Sequence, residues 1–229
     1  MIPVAEIFGP TIQGEGPNTG KKSLFVRVVG CDFNCEWCDS KFAWKPDNDT
    51  IHYDEYALAE RLTKLCYLKN TFQIVLTGGN PCLYDFEYII DQLHSRNIKV
   101  DIETQGSRLP EWLKNVDLLV ISPKAPSSKQ PDVMDNIYKY VSSHRTQPIA
   151  IKIPVFDDAD FEFATKYYEK FEEFDNVKLY INVGNDNTQE KGDISQRLLL
   201  SYAHLIEKVC KSEMTNVYVM PQLHTLVWR

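Results

Sequence analysis

The chain has 229 residues, 43% of them hydrophobic and 25% charged, with a net charge of −7. That length suits one domain whose core needs no disulfide staples, and the acidic balance excludes nucleic acid as the main partner, since phosphate binding demands clustered positive charge. No apolar run approaches the roughly 18 residues of a membrane span, and MIPVAEIFGP lacks the basic and apolar regions of a signal peptide; a cytoplasmic protein without membrane attachment is expected.

In chain order, SLFVRVVG (23–30) reads as a strand, with Leu24, Val26 and Val28 on one face and Phe25, Arg27 and Val29 on the other. A helix starts at Asp54, and Leu58, Leu62 and Leu65 recur at helical spacing. QIVLTGG (73–79) is a strand ending in a glycine turn, and Phe86, Ile89, Ile90 and Leu93 form the next helical stripe. KVDIET (99–104), DLLVISP (117–123) and AIKIPV (150–155) read as strands. A helix with Phe161, Ala164, Tyr168 and Phe171 follows, then a strand at 178–184. Leu198, Tyr202, Leu205 and Val209 mark a last helix, and 216–221 a closing strand. The alternation implies βα units and a mostly parallel sheet. Roughly six or seven strands are too few for the closed eight-stranded barrel. The expected fold is therefore α/β, an incomplete TIM-like barrel or open sheet with helices outside, in a single domain over 1–229. Its chemistry belongs at the C-terminal strand ends.

Cysteines dominate the first of those ends. Cys31, Cys35 and Cys38 stand in GCDFNCEWCDS at C-x3-C-x2-C spacing, while Cys66, Cys82 and Cys210 are scattered and read as ordinary buried thiols. Three thiolates on a short loop hold three irons of a cubane and leave the fourth open. An electron-carrying ferredoxin cluster takes four cysteines, and an open position is a binding site, as at catalytic zinc. A structural zinc knuckle would need a fourth ligand such as Cys66, Cys82 or a histidine, and none lies at the short paired spacing. Arg27 interrupts an apolar strand, where arginine is rarely buried alone. It either grips a ligand carboxylate through two parallel hydrogen bonds or pairs with Glu6, Glu15 or Glu103. Gln13 and Glu15 alternate with glycines, so this stretch is either a solvated turn or a place where backbone approaches a flat ring.

The cysteine spacing, with aromatic Trp37 before Cys38, resembles the signature of the radical S-adenosylmethionine superfamily. There S-adenosylmethionine fills the open iron with its amino and carboxylate groups, and cluster-driven cleavage releases a 5′-deoxyadenosyl radical. Further segments narrow the likeness: EIFGPTIQGEG (6–16), FVRVVGC (25–31), CDS (38–40), TGGNP (77–81), ETQG (103–106), ISPK (121–124) and PQLH (221–224). Together, over residues 6–228, they resemble the 7-carboxy-7-deazaguanine synthase family. The resemblance implies conversion of 6-carboxy-5,6,7,8-tetrahydropterin to 7-carboxy-7-deazaguanine with loss of ammonia. It also implies a 4Fe–4S cluster on Cys31, Cys35 and Cys38, dependence on Mg²⁺, a homodimer, and flavodoxin or ferredoxin as electron donor.

The same resemblance distributes the site residues. Trp37, Cys38, Asp39, Gly79, Ser122, Pro123 and Lys124 match contacts to S-adenosylmethionine. Ile12, Gln13, Gly14, Glu15, Arg27 and Thr77 match contacts to the pterin, and Ser40 matches a Mg²⁺ ligand. A lone hydroxyl cannot hold that ion, which prefers six oxygens, so substrate and water would complete the shell. Glu103 and Gln105 would serve the ribose or amino group, and 221–224 would cap the pterin. TGGNP departs from the superfamily's frequent GGE, because Asn80 keeps an acceptor oxygen without the charge. The rival within the superfamily is an activating enzyme acting on a protein partner, which would need an exposed peptide surface.

Overall fold

The computed structural model describes residues 1–185 and 194–227. Nine strands lie in one sheet: β1 (Ile2–Ile12), β2 (Lys22–Val28), β3 (Ile51–Tyr53), β4 (Gln73–Gly78), β5 (Lys99–Thr104), β6 (Leu118–Ile121), β7 (Ile149–Val155), β8 (Val177–Val183) and β9 (Val217–Met220). Their order is β3-β1-β2-β4-β5-β6-β7-β8-β9. From β2 to β9 every pair is parallel, and each new strand joins the same advancing edge. The two outer strands do not meet, so the sheet is an incomplete, TIM-like barrel, as expected.

Two strands escaped the sequence reading, and the described residues form nine rather than six or seven. β1 runs antiparallel to β2, and β3 antiparallel to β1. β1 contains Gly9 and Pro10, which ordinarily interrupt a strand. The register shifts between Phe8 and Thr11 and so absorbs them as an irregularity. β3 has only three residues, mostly exposed, and offers no pattern.

Among the described residues six α-helices accompany the sheet: α1 (Glu55–Lys69), α2 (Glu87–His94), α3 (Met134–Ser143), α4 (Asp158–Phe171), α5 (Ser195–Lys211) and α6 (Leu223–Val227). α1 begins where Asp54 accepts a hydrogen bond from the Ala57 amide at 2.7 Å, and it ends on Asn70 in the left-handed region. α3 and α6 were not anticipated. α3 is mostly polar with a narrow buried stripe, and α6 is a single short turn. No helix among the described residues is long and apolar enough to cross a membrane.

Alternation along the strands separates core from cavity. Leu24, Val26 and Val28 of β2 pack with Leu58 and Leu62 of α1 and with Ile89, Ile90 and Leu93 of α2 in the main core. Burial of each such side chain contributes about 1.5–3 kcal/mol. Phe25 and Arg27 face the opposite side and line the cavity. The same alternation on β7 sends Ile151 and Ile153 to the core and Lys152 and Pro154 to the cavity. The loop between β1 and β2 is tied down from below: Asn18 donates to Asp101 of β5 at 2.5 Å. Burial pushes the Asp101 carboxyl up to about 6, with Asn18, Gln73 and Lys21 opposing.

Candidate active site

A cavity of about 740 Å³ opens at the C-terminal ends of the parallel strands. The cysteine loop leaves β2 and rests on the glycine turn after β4. Gly79 N–H donates to the Val28 carbonyl at 3.0 Å, and Asn80 N–H donates to the Gly30 carbonyl at 2.7 Å. A Cβ at Gly79 would lie 2.0 Å from the Gly30 oxygen, and one at Gly78, whose φ is +115°, would lie 2.5 Å from Val28 backbone atoms. Only paired glycines let the two segments touch this closely.

Cys31, Cys35 and Cys38 are free thiols and all line the cavity. Among the described residues no three histidine, cysteine or acidic side chains form a compact single-ion chelate. The soft donor set nevertheless fits an iron–sulfur cubane, which spreads its thiolates over separate irons. Burial pushes the Cys31 thiol up to about 11, with smaller effects from Phe33, Asp32, Cys35 and Lys124. Burial likewise raises Cys35. Lys124 donates to Ser122 Oγ at 3.0 Å and sits 5.7 Å from the Trp37 ring. Burial lowers its pKa, while the three thiols, if ionised, would favour its charged form. Trp37 is fixed by its indole N–H, which donates to Ser127 at 2.9 Å.

Next to the thiols lies an Arg27–Ser40–Asp39 chain. Arg27 Nη1 donates to Ser40 Oγ at 2.9 Å, and Ser40 donates to Asp39 Oδ1 at 2.9 Å. Arg27 Nε pairs with Glu6 at 2.8 Å, and its guanidinium lies 5.5 Å from the Phe8 ring and 5.6 Å from the Phe42 ring. Of the three acidic partners weighed from sequence, Glu6 is the one in contact. Arg27 thus keeps a structural pair and still faces the cavity.

A second polar group gathers around Glu15 and Glu103. Gln13 donates to Glu103 at 3.0 Å, and Thr77 donates to its other oxygen at 3.1 Å. Glu15 accepts from Gln222 at 2.7 Å and pairs with Lys152 at 2.6 Å. Burial favours a neutral Glu15, but Lys152, His224 and the hydrogen bonds outweigh it and hold the carboxyl at about 2. Gly14 has a steric reason beyond backbone freedom: a Cβ there would meet His224 Nδ1 at 2.4 Å.

Residues 25–148 match the family described as the Radical SAM superfamily. The 7-carboxy-7-deazaguanine synthase of Bacillus cereus is 39% identical, over 99% of this chain and 96% of its own length. The enzyme of that name from Bacillus subtilis is 38% identical with the same coverage. The chain belongs to the 7-carboxy-7-deazaguanine synthase family. In fold it is similar to the crystal structure of QueE from Escherichia coli, with a TM-score of 0.71 and 21% identity, covering 97% of this chain and 94% of that one. As a family member the chain is a radical S-adenosylmethionine enzyme, and its cofactors are a 4Fe–4S cluster and S-adenosylmethionine.

For this member of the 7-carboxy-7-deazaguanine synthase family, the sequence-derived positions fall into three sets. Ile12, Gln13, Gly14, Glu15, Arg27 and Thr77 line the cavity. So do Trp37, Asp39, Ser40, Gly79, Ser122 and Lys124 with the three cysteines. Pro123 is not among the lining residues. Glu103 joins Gln13 and Thr77, whereas Gln105 turns toward the cysteine loop, donating to Asp32 at 2.6 Å. Asn80 is fully buried and spends its polar atoms on Asp32, Ser107, Thr104 and the Cys82 amide. One expectation fails: Cys210 is exposed, whereas Cys66 and Cys82 are buried. It lies near the C-terminal end of α5, off the stripe formed by Leu198, Leu205 and Val209. Lys152, Asn182 and Asp32 were missed. For Lys152 the signal stood in AIKIPV, a charge inside an apolar strand, the same signal that singled out Arg27.

Proposed function

We propose that the chain converts 6-carboxy-5,6,7,8-tetrahydropterin to 7-carboxy-7-deazaguanine with loss of ammonia, in a single domain spanning the chain. The observation that supports this most is one cavity in which three thiols and a carboxylate-lined polar group share the same walls. When bound, the cluster and S-adenosylmethionine supply a 5′-deoxyadenosyl radical. Cys31, Cys35 and Cys38 are the cluster ligands in this reading. Trp37, Asp39, Gly79, Ser122 and Lys124 hold S-adenosylmethionine, with Lys124 offering its ammonium to a carboxylate and Pro123, off the cavity wall, fixing the backbone between its two neighbours.

The pterin lies against Ile12, Gln13, Gly14, Glu15 and Thr77. Arg27, already braced by Glu6 and Ser40, presents its remaining donor surface to the substrate carboxylate. Mg²⁺ binds at Ser40, with substrate and water completing its shell. Fixing both ends of the ring matters because hydrogen transfer demands close alignment. A cytoplasmic homodimer reduced by flavodoxin or ferredoxin completes the proposal; the six free thiols suit a reducing compartment. An activating enzyme is less well supported, since Gln13, Lys152 and Asn182 are buried within the cavity rather than spread along an open peptide groove.

The test is anaerobic turnover with 6-carboxytetrahydropterin, the product identified by mass. Formation of 7-carboxy-7-deazaguanine with release of ammonia is the expected result. Protein purified without oxygen that carried one zinc in place of roughly four irons and four sulfides would overturn it.

A further inference from the structure

Lys152 enters the cavity from β7, between two core isoleucines, and is only 8% exposed. Its Nζ lies 2.6 Å from Glu15 Oε2 and 3.6 Å from Glu103 Oε1. Two carboxylates and one ammonium leave this side of the cavity one unit negative. The surrounding donors are already turned inward: Gln222 and Lys152 onto Glu15, Gln13 and Thr77 onto Glu103. What remains for a ligand is acceptor capacity, because each carboxylate oxygen offers more than one lone-pair site. Asn182 Oδ1 and Gln222 Oε1 add two buried carbonyl oxygens with no partner, on residues that line the same cavity.

We propose that Lys152 is the positioning residue of the substrate side: its ammonium bridges Glu15 and Glu103 so that both meet the ring's N–H and amino donors as hydrogen-bond acceptors. This rests on the pterin reading above, whose donor edge is the complement of such a surface. Remove the ammonium, and two largely enclosed carboxylates are left on either side of its place. Like charges in a buried site cannot both stay ionised cheaply, so the pair takes up a proton near neutral pH. An acceptor then becomes an O–H donor pointed at substrate donors. The other charges acting here are His224 of α6, 3.9 Å from Glu15, together with Asp39 of the cysteine loop and Lys124 after β6.

The experiment compares wild type, Lys152→Met and the double variant Lys152→Met/Glu103→Gln. KM for 6-carboxytetrahydropterin and substrate-free release of 5′-deoxyadenosine are measured from about pH 6 to about pH 8. Wild type should show a flat KM. Lys152→Met should show a KM about tenfold higher at the acid end than at the alkaline end, one decade for a titration of this width. Substrate-free cleavage should stay within about twofold of wild type, since the thiols are untouched. The double variant, with one carboxylate left, should show a weaker pH dependence than Lys152→Met, because the repulsion between the two carboxylates is gone. A KM profile for Lys152→Met that overlays wild type would overturn the proposal. So would a double variant as pH-dependent as Lys152→Met, or loss of substrate-free cleavage in both variants, which would make Lys152 a structural ion.

Thermal unfolding of the ligand-free proteins reads the same ionisation without substrate. The paired carboxyl in Lys152→Met has its folded pKa raised, so stability present at low pH is lost as pH rises through that value. The melting temperature of Lys152→Met should therefore fall relative to wild type from about pH 6 to about pH 8. A constant difference would count against Lys152 as the charge-setting group. Should wild type make no product, the functional reading fails, and this titration still decides the role of Lys152.

Discussion

The two polar groups of the cavity are built in opposite ways. Around Glu15 the charges answer one another: the carboxyl sits at about 2, and the buried Lys152 is pushed upward because Glu103 and Glu15 outweigh its desolvation. Around the thiols the protein's groups are ill at ease alone. Burial raises Cys31 and Cys35 and lowers Lys124, so each is driven toward its neutral form. Such groups gain their charge partner only when iron and a carboxylate-bearing cofactor arrive. The contrast teaches that one side is preorganised for a ligand that comes and goes, whereas the other is completed by its resident cofactor.

Four measurements break or sharpen that contrast. The largest effect belongs to the thiols: Cys31→Ala, Cys35→Ala and Cys38→Ala should each abolish cleavage of S-adenosylmethionine. Cys66→Ala, Cys82→Ala and Cys210→Ala should keep it. Wild-type cleavage by any of the first three would remove that residue from the ligand set.

Arg27→Lys should come next, lowering product formation by about 10–100-fold, because lysine lacks the planar fork and loses about 1.4–2.8 kcal/mol of charged hydrogen bonding. Uncoupled 5′-deoxyadenosine release should persist. If cluster assembly failed as well, the Glu6 pair would be its main purpose.

Ser40→Ala should shift the Mg²⁺ response of product formation by about threefold to tenfold, as befits one neutral oxygen among six ligands. Ser40→Thr should largely preserve it, and a Ser40→Ala titration identical to wild type would remove Ser40 from the metal site. The smallest effect is in pH. With the Cys31 thiol at about 11, iron must displace its proton, so cluster uptake by the apoprotein should rise gradually from about pH 7 to about pH 9. Substrate KM should stay flat between about pH 6 and pH 8, because Glu15 remains ionised throughout. Uptake that fell with pH would contradict the protonated-thiol picture.

Much of this is legible in the sequence, for identifiable reasons. The parallel strands are continuous apolar runs, and their period placed Leu24, Val26 and Val28 in the core and Arg27 opposite. Asp54 announced α1 through its capping carboxylate. β1 was illegible because its pairing is bought by register shifts around Gly9 and Pro10 rather than by alternation. The three thiols were plain from spacing, since short-range geometry constrains a loop. Lys152, Glu15 and Glu103 were not assembled, because their pairing depends on β5 and β7 converging on a loop far away in the chain. No local pattern encodes such a triad; only the alternation of each strand, read together with the sheet order, does.

The bond between Asn80 and Asp32 ties the fate of two positions together. Asn80 Nδ2 lies 2.9 Å from Asp32 Oδ1, and Gln105 and Ser107 close on the same carboxylate at 2.6 and 2.7 Å. Where superfamily relatives often carry the acid on the glycine turn, this chain carries one on the neighbouring loop. Asn80→Glu alone would set two carboxylates against each other and should destabilise the loop. Asp32→Asn made together with it should relieve that repulsion, so the two substitutions should couple rather than add.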